Sequence, residues 1–141
     1  MHPKTTLSIH CIGVLLALCW FPGCGRSCFS RGADLYSRGD YVDAEEYFEH
    51  TEARLGEADP QERARYALYR ASTLLALGDV DRAEHWLARA KHLDRIDPGA
   101  LDEDEQAMLR RAQATAAVAS RRRERTQRAY TQINAVQLAS P

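Results

Sequence analysis

Apolar and small residues recur at helical spacing along most of the chain. Over residues 65–77 they fall at Ala67, Leu68, Ala71, Leu74, Leu75 and Leu77, the i, i+3, i+4, i+7 pattern of an amphipathic helix. Asp59-Pro60-Gln61-Glu62 stands before this run. Asp offers a capping oxygen, Pro suits the first helical position, and Glu three places after the Asp completes a capping-box pattern. Gly78 ends the helix and Asp79 caps the next, in which Val80, Ala83, Trp86, Leu87, Ala90 and Leu93 share one face. Two helices joined by so short a turn fold back antiparallel.

A second copy of this pattern lies upstream. Gly39-Asp40-Tyr41-Val42-Asp43-Ala44 matches Gly78-Asp79-Val80-Asp81-Arg82-Ala83 as G-D-apolar-x-x-A. Each continues to an apolar residue four places past the Ala, Phe48 and Leu87, and each has a small residue seven places before the Gly, Gly32 and Ala71. The spacing predicts a first helix over 28–38 and a second over 40–55. Tyr41, Ala44, Tyr47, Phe48 and Thr51 form the packed face of the second, and Asp43, Glu45, Glu46, Glu49 and Glu52 its outer face. After a turn at Pro98-Gly99, Asp102 with Glu105 three places on opens a third helical region. There Ala107, Met108, Leu109, Ala112, Thr115, Ala116 and Ala119 keep the spacing. The fold class is all-α: two helix-turn-helix hairpins and a C-terminal capping helix.

The two hairpins, 39 residues apart, resemble the tetratricopeptide repeat, a helix-turn-helix unit of about 34 residues. The resemblance covers residues 26–98 and implies an α-solenoid fragment. It implies close helix packing at the small residues Gly32, Ala44, Ala71, Ala83 and Ala90, together with the turns Gly39 and Gly78 and the anchors Phe48 and Leu87. It also implies a concave groove that binds segments of other proteins. Carried over position by position, that groove takes Arg26, Phe29, Ala33, Tyr36 and Ser37 from the first hairpin. The second contributes Arg65, Leu68, Ser72, Leu75 and Ala76. Phe29, Tyr36 and Arg65 are the expected anchors, because aromatic and arginine side chains carry most interface energy. Arg31 and Arg70 stand where the family usually has Leu. Trp86 and Tyr47, one place before the apolar anchors, are expected to pack between hairpins.

The first 23 residues have a different composition. Cys11–Phe21 is an uninterrupted apolar run, short for a membrane span, which needs about 20 residues, but suited to the core of a signal peptide. The Phe21-Pro22-Gly23-Cys24 sequence that follows resembles a bacterial lipobox. That resemblance implies cleavage before Cys24, acylation of Cys24, and export to the envelope as a membrane-anchored lipoprotein. With Gly25 after the cysteine, the outer membrane and its periplasmic face are expected rather than the inner membrane. An uncleaved anchor is the alternative. The domain reading is therefore a signal peptide at 1–23, two repeats at 24–98, a degenerate third repeat or capping helix at 99–131, and a flexible tail at 132–141.

Charge and reactive residues refine this. The formal net charge of the 141 residues is −1, but its distribution is dipolar. Residues 29–62 hold ten acids against three bases, and residues 110–128 hold seven Arg against one Glu. Of the four cysteines, Cys11 and Cys19 leave with the signal peptide, so Cys28 is the one thiol of the mature chain and no disulfide framework is expected. No four residues assemble a zinc site. His50, His85 and His92 read as surface residues. Ser30, Ser37 and Ser72 lack the context of a nucleophile, and there is no phosphate-binding loop. No catalytic residue, metal or cofactor is expected. The expected partners are other envelope proteins and, through the N-terminal lipid, the membrane; nucleic acid is not. Self-assembly through the acidic and basic ends is the alternative.

Overall fold

The structure is a computed structural model that describes Ser27 and residues 29–139. The signal peptide, Cys24, Arg26 and Cys28 lie outside the described residues, as do Ser140 and Pro141. The described residues are all-α and contain no strand. The order is α1 (Ser30–Arg38), α2 (Tyr41–Thr51), a 3₁₀ turn (Glu52–Gly56), α3 (Pro60–Ala76), α4 (Val80–Ile96) and α5 (Glu103–Ala139).

The turns are built as the sequence repeat requires. Gly39 and Gly78 adopt φ of 83° and 80°, the left-handed region open to a residue without Cβ. At the first turn Gly39 N–H donates to Tyr36 O at 3.0 Å and Asp40 N–H to Leu35 O at 3.0 Å. At the second, Gly78 N–H donates to Leu75 O at 3.1 Å and Asp79 N–H to Leu74 O at 2.9 Å. Asp59 and Asp79 cap α3 and α4 by accepting from Glu62 N–H at 2.7 Å and Arg82 N–H at 3.2 Å. The start of α5 is a reciprocal capping box. Glu105 N–H donates to Asp102 Oδ1 at 2.8 Å, and Asp102 N–H donates to Glu105 Oε2 at 3.0 Å.

Side-chain contacts fix the packing directions. Phe29 lies against Arg65 near the start of α3, and Tyr36 stands beside Ser72 and Leu75 two turns further on, so α1 runs parallel to α3. Arg65 reaches Glu105, while Ser72, Leu75 and Ala76 face Met108 to Thr115, so α5 also runs parallel to α3. α4 is antiparallel to α5, with Asp94 beside Gln106 and Asp81 beside Arg123. The result is one row of parallel helices, α1, α3 and α5, backed by α2 and α4.

The core follows the small-residue pattern. Ala44, Phe48, Ala71, Ala83 and Ala90 are fully buried, and Leu87 nearly so. Gly32 is a contact requirement: a Cβ there would overlap the ring of Phe48. An edge-to-face series links the helices. Phe48 meets Tyr66 at 5.1 Å between ring centroids, and Tyr66 meets Trp86 at 5.4 Å. Trp86 thus packs against α3 of its own hairpin, on Tyr66 and Arg70. Tyr47 is half-buried, its hydroxyl donating to Ser27 O at 3.3 Å.

Three expectations are corrected. Glu45, expected on the outer face, is buried at 6% exposure, because the Arg70 guanidinium lies inside the bundle. Arg70 Nη2 donates to Glu45 Oε1 at 3.0 Å and Nη1 to Glu52 Oε2 at 2.5 Å, with the guanidinium 4.6 Å from the centroid of a Trp86 ring. The helix expected to run to residue 55 ends at Thr51 and tightens into 3₁₀ geometry; Thr51 Oγ1 donates to Tyr47 O and Phe48 O, competing with the helical ladder. The first helix begins at Ser30 rather than 28. α5 continues as helix through Ala139, with no Gly or Pro to interrupt it.

Two predictions follow from the core. Gly32→Ala lowers stability by about 1–3 kcal/mol through overpacking; in urea denaturation the loss shrinks when Phe48→Leu is added, whereas simple additivity would refute the steric reading. Tyr66 is fully buried, and its hydroxyl donates to Phe48 O. Burial lifts its pKa from 10.0 to about 12, against the opposing charge of Arg70. Its contribution to stability is fully present below pH 10 and is lost as pH rises through 12, by about 1 kcal/mol at pH 11. The destabilisation caused by Tyr66→Phe is therefore smaller at pH 11 than at pH 8.

Candidate interaction groove

The parallel row of α1, α3 and α5 presents the face on which the expected groove residues fall. On α3, Arg65, Tyr69, Ser72 and Ala76 recur every three or four residues and so share a stripe. Between α1, α3 and α5 this face holds an open depression of about 500 Å³. It is lined by Tyr36, Ser72, Leu75, Ala76, Met108, Arg111, Ala112 and Thr115.

The six principal groove candidates separate. Tyr36, Ser72 and Leu75 line the depression. Tyr36 leans on Tyr69 with centroids 5.9 Å apart and on Tyr41 at 5.6 Å. Its hydroxyl pKa is raised, chiefly by burial and then by Tyr41, with Ser72 and the Arg111 charge opposing. Ser72 is itself buried and donates to Leu68 O at 2.9 Å, so it contributes a polar floor. Leu68 is fully buried in the core and has no surface to offer a partner. Phe29 stacks on Tyr69 at 6.3 Å. Arg65 lies 5.7 Å from the Phe29 centroid and is committed to the start of α5, with Nε 3.0 Å from Glu105 Oε1 and Nη2 3.9 Å from Asp102. Among the other groove positions, Ala33 is half-buried and Ser37 and Ala76 are exposed.

The far wall comes from α5. Met108, Arg111 and Thr115 lie on the helix that sequence reasoning treated as a cap, and Tyr69 was not singled out at all. The α3 stripe held the signal for Tyr69. The place of Met108 and Arg111 depends on α5 settling parallel to α3, which local periodicity does not specify.

The electrostatics of the second hairpin also bear on partners. Glu45 and Glu49 converge on Arg82 Nη1 at 3.1 and 2.9 Å, and Arg82 Nε pairs with Asp79 at 2.6 Å. Burial raises the pKa of Glu45 against the opposing pull of Arg70 and Arg82, while hydrogen bonds from Arg82 lower that of Asp79. Glu45, Glu49 and Glu52 are thus engaged by Arg70 and Arg82, and the acidic hairpin offers fewer carboxylates to a second copy than its composition suggests. Among the described residues no three His, Cys, Asp or Glu side chains gather as metal ligands. His50, His85 and His92 are exposed; His85 lies edge-on to Trp86 at 5.7 Å, and His92 Nδ1 is 3.2 Å from Arg95. No described helix is long and apolar enough to cross a membrane.

Compared with family models, curated proteins and solved structures, the chain gives no match.

The groove wall depends on Arg65 holding the first turn of α5. A double-mutant cycle of Arg65→Met and Glu105→Gln is expected to give a coupling of about 1 kcal/mol, reduced at high salt because Arg65 is partly exposed. A coupling near zero would mean that apolar packing alone seats α5.

Proposed function

We propose that this chain is a lipid-anchored envelope adaptor that binds a segment of another protein through tetratricopeptide-like hairpins. The observation that carries the reading is the depression between α1, α3 and α5. An apolar wall of Leu75, Ala76 and Met108 stands there beside the half-buried Tyr36 and the exposed Arg111. Such a surface buries apolar atoms of a ligand while a few polar groups fix its register. The repeated Gly-Asp turns and the parallel first helices support the family resemblance. The lipobox-like Phe21-Pro22-Gly23-Cys24 sequence supports the address. In this reading Cys24 carries the acyl chains, which hold the adaptor at the periplasmic face of the outer membrane. Several chains are needed for stable anchoring, since each buried CH₂ contributes about 0.8 kcal/mol. Groove and anchor then divide the work, one selecting the partner and the other fixing where it is met.

One experiment examines both parts. The full chain and a Cys24→Ala variant are expressed in a bacterium with two membranes, each with a photo-crosslinking residue at Tyr36 or at the exposed Val42 of α2. Intact mass is expected to show a product beginning at Cys24 with acyl mass, absent from the variant. A defined envelope protein is expected to crosslink from position 36 and not from 42. A full-length unacylated product refutes the lipoprotein reading, and equal crosslinking from both positions refutes the groove.

A further inference from the structure

Beyond the groove, α5 carries a feature that the adaptor reading does not use. Its last ties to the bundle are Ser120 Oγ donating to Glu84 at 2.5 Å and Arg123 Nη1 at 2.7 Å from Asp81. Residues 121–133 are all exposed. At 1.5 Å per residue the helix from Arg121 to Ile133 rises about 18 Å, mostly past its last side-chain contact with α4.

The side chains of this segment are sorted. Arg123 turns toward α4. Arg128 borders the cleft that Arg123 forms with Asp81 and Glu84, while Arg121, Arg122 and Arg125, at i, i+1 and i+4, share a different face. Arg121, Arg122 and Arg125 have no carboxylate within ion-pair distance among the described residues, and Arg128 has Glu124 at 3.7 Å with both side chains solvated. One turn further on, Ala129, Tyr130 and Ile133 form an adjoining apolar sector, with Tyr130 61% and Ile133 57% exposed. All the cations from 103 to 139 are Arg and none is Lys; arginine pairs bidentately with phosphate and is less strongly hydrated.

We propose that the segment from Arg121 to Ile133 is a basic amphipathic arm that lies on an anionic phospholipid surface. An arginine row flanking a shallow apolar sector that contains Tyr is the composition of an interfacial helix: the guanidinium groups meet head-group phosphates and Tyr130 and Ile133 enter the boundary. Each basic side chain near such a surface adds to an attraction that fades within a Debye length. A second copy is the poorer fit, because Glu45, Glu49 and Glu52 already serve Arg70 and Arg82. A polar helix without a surface to lie on is also marginal in water.

The test is amide hydrogen exchange on the full chain, reconstituted in phosphatidylcholine vesicles with or without about a third phosphatidylglycerol. Wild type is compared with R121Q/R122Q/R125Q/R128Q and with Y130S/I133S. Exchange over 121–135 is expected to slow at least tenfold on the anionic vesicles only. High salt and the arginine variant should abolish that protection, and Y130S/I133S should reduce it. Exchange in α3 and α4 stays unchanged in every case and verifies the fold. Equal exchange on the two vesicle types overturns the proposal. So does equal protection from added inorganic polyphosphate on neutral vesicles, or protection that tracks protein concentration, which would indicate a second copy. Because only the lipid charge differs between samples, failure of this result is independent of Cys24 acylation.

Discussion

The structure depends on the guanidinium of Arg70 being held inside the bundle. Removing such a charge from water carries an effective penalty of several kcal/mol. It is offset here only because α2 presents Glu45 and the turn after it presents Glu52, while Trp86 of α4 lies against the cation. Burial alone would lower the Arg70 pKa, and the hydrogen bonds to Glu45 and Glu52 reverse that. The consequence is geometric. Apolar contacts between helices tolerate a slide. A buried guanidinium that must meet carboxylates of the preceding hairpin and a ring of the next helix does not. Arg70 thus sets the register between the hairpins together with Arg82 and the Tyr66 hydroxyl on Phe48 O, and the face formed by α1 and α3 inherits that register.

The all-α class, the two Gly-Asp turns, the Asp caps and the capping box at Asp102 and Glu105 were legible in the sequence, because each is a local device. A residue without Cβ reaches positive φ, and an Asp oxygen reaches an N–H three residues on, whatever the tertiary context. The anchors Phe48 and Leu87 and the small residues Ala44, Ala71, Ala83 and Ala90 were legible because burial follows helical spacing. Glu45 was misplaced for a related reason. It adjoins Ala44 on the helix, and composition marks a carboxylate as solvent-facing until a partner is found. That partner, Arg70, is 25 residues away and stands where the tetratricopeptide resemblance leads one to expect an apolar residue. An arginine at an apolar position was the available signal, and its meaning was three-dimensional.

The groove was legible by halves. The first helices of the two hairpins supplied Tyr36, Ser72 and Leu75, and the stripe rule extends to Tyr69. Leu68 was drawn into the groove by position alone, although an inward Leu next to a fully buried Ala67 serves the core. The opposite wall could not be read from the chain. It forms where Leu109, Ala112 and Ala116 of α5 pack into the core and Arg65 pairs with Glu105 and Asp102, with Met108, Arg111 and Thr115 alongside α3. One residue expected to meet a partner is thus the clasp beside this depression.

The same clasp directs the other end of α5. With its first turn held at Arg65 and its middle held at Asp81 and Glu84, the helix is fixed in direction before it leaves the bundle. The arginines beyond Ser120 therefore project from a rigid base rather than from a random tail. A charged segment fixed in this way concentrates its field along one line, so a flat or extended anionic surface meets several guanidinium groups at once. The arginine excess of the C-terminal half, which composition presents as simple asymmetry, becomes a directed surface through three contacts made elsewhere in the fold.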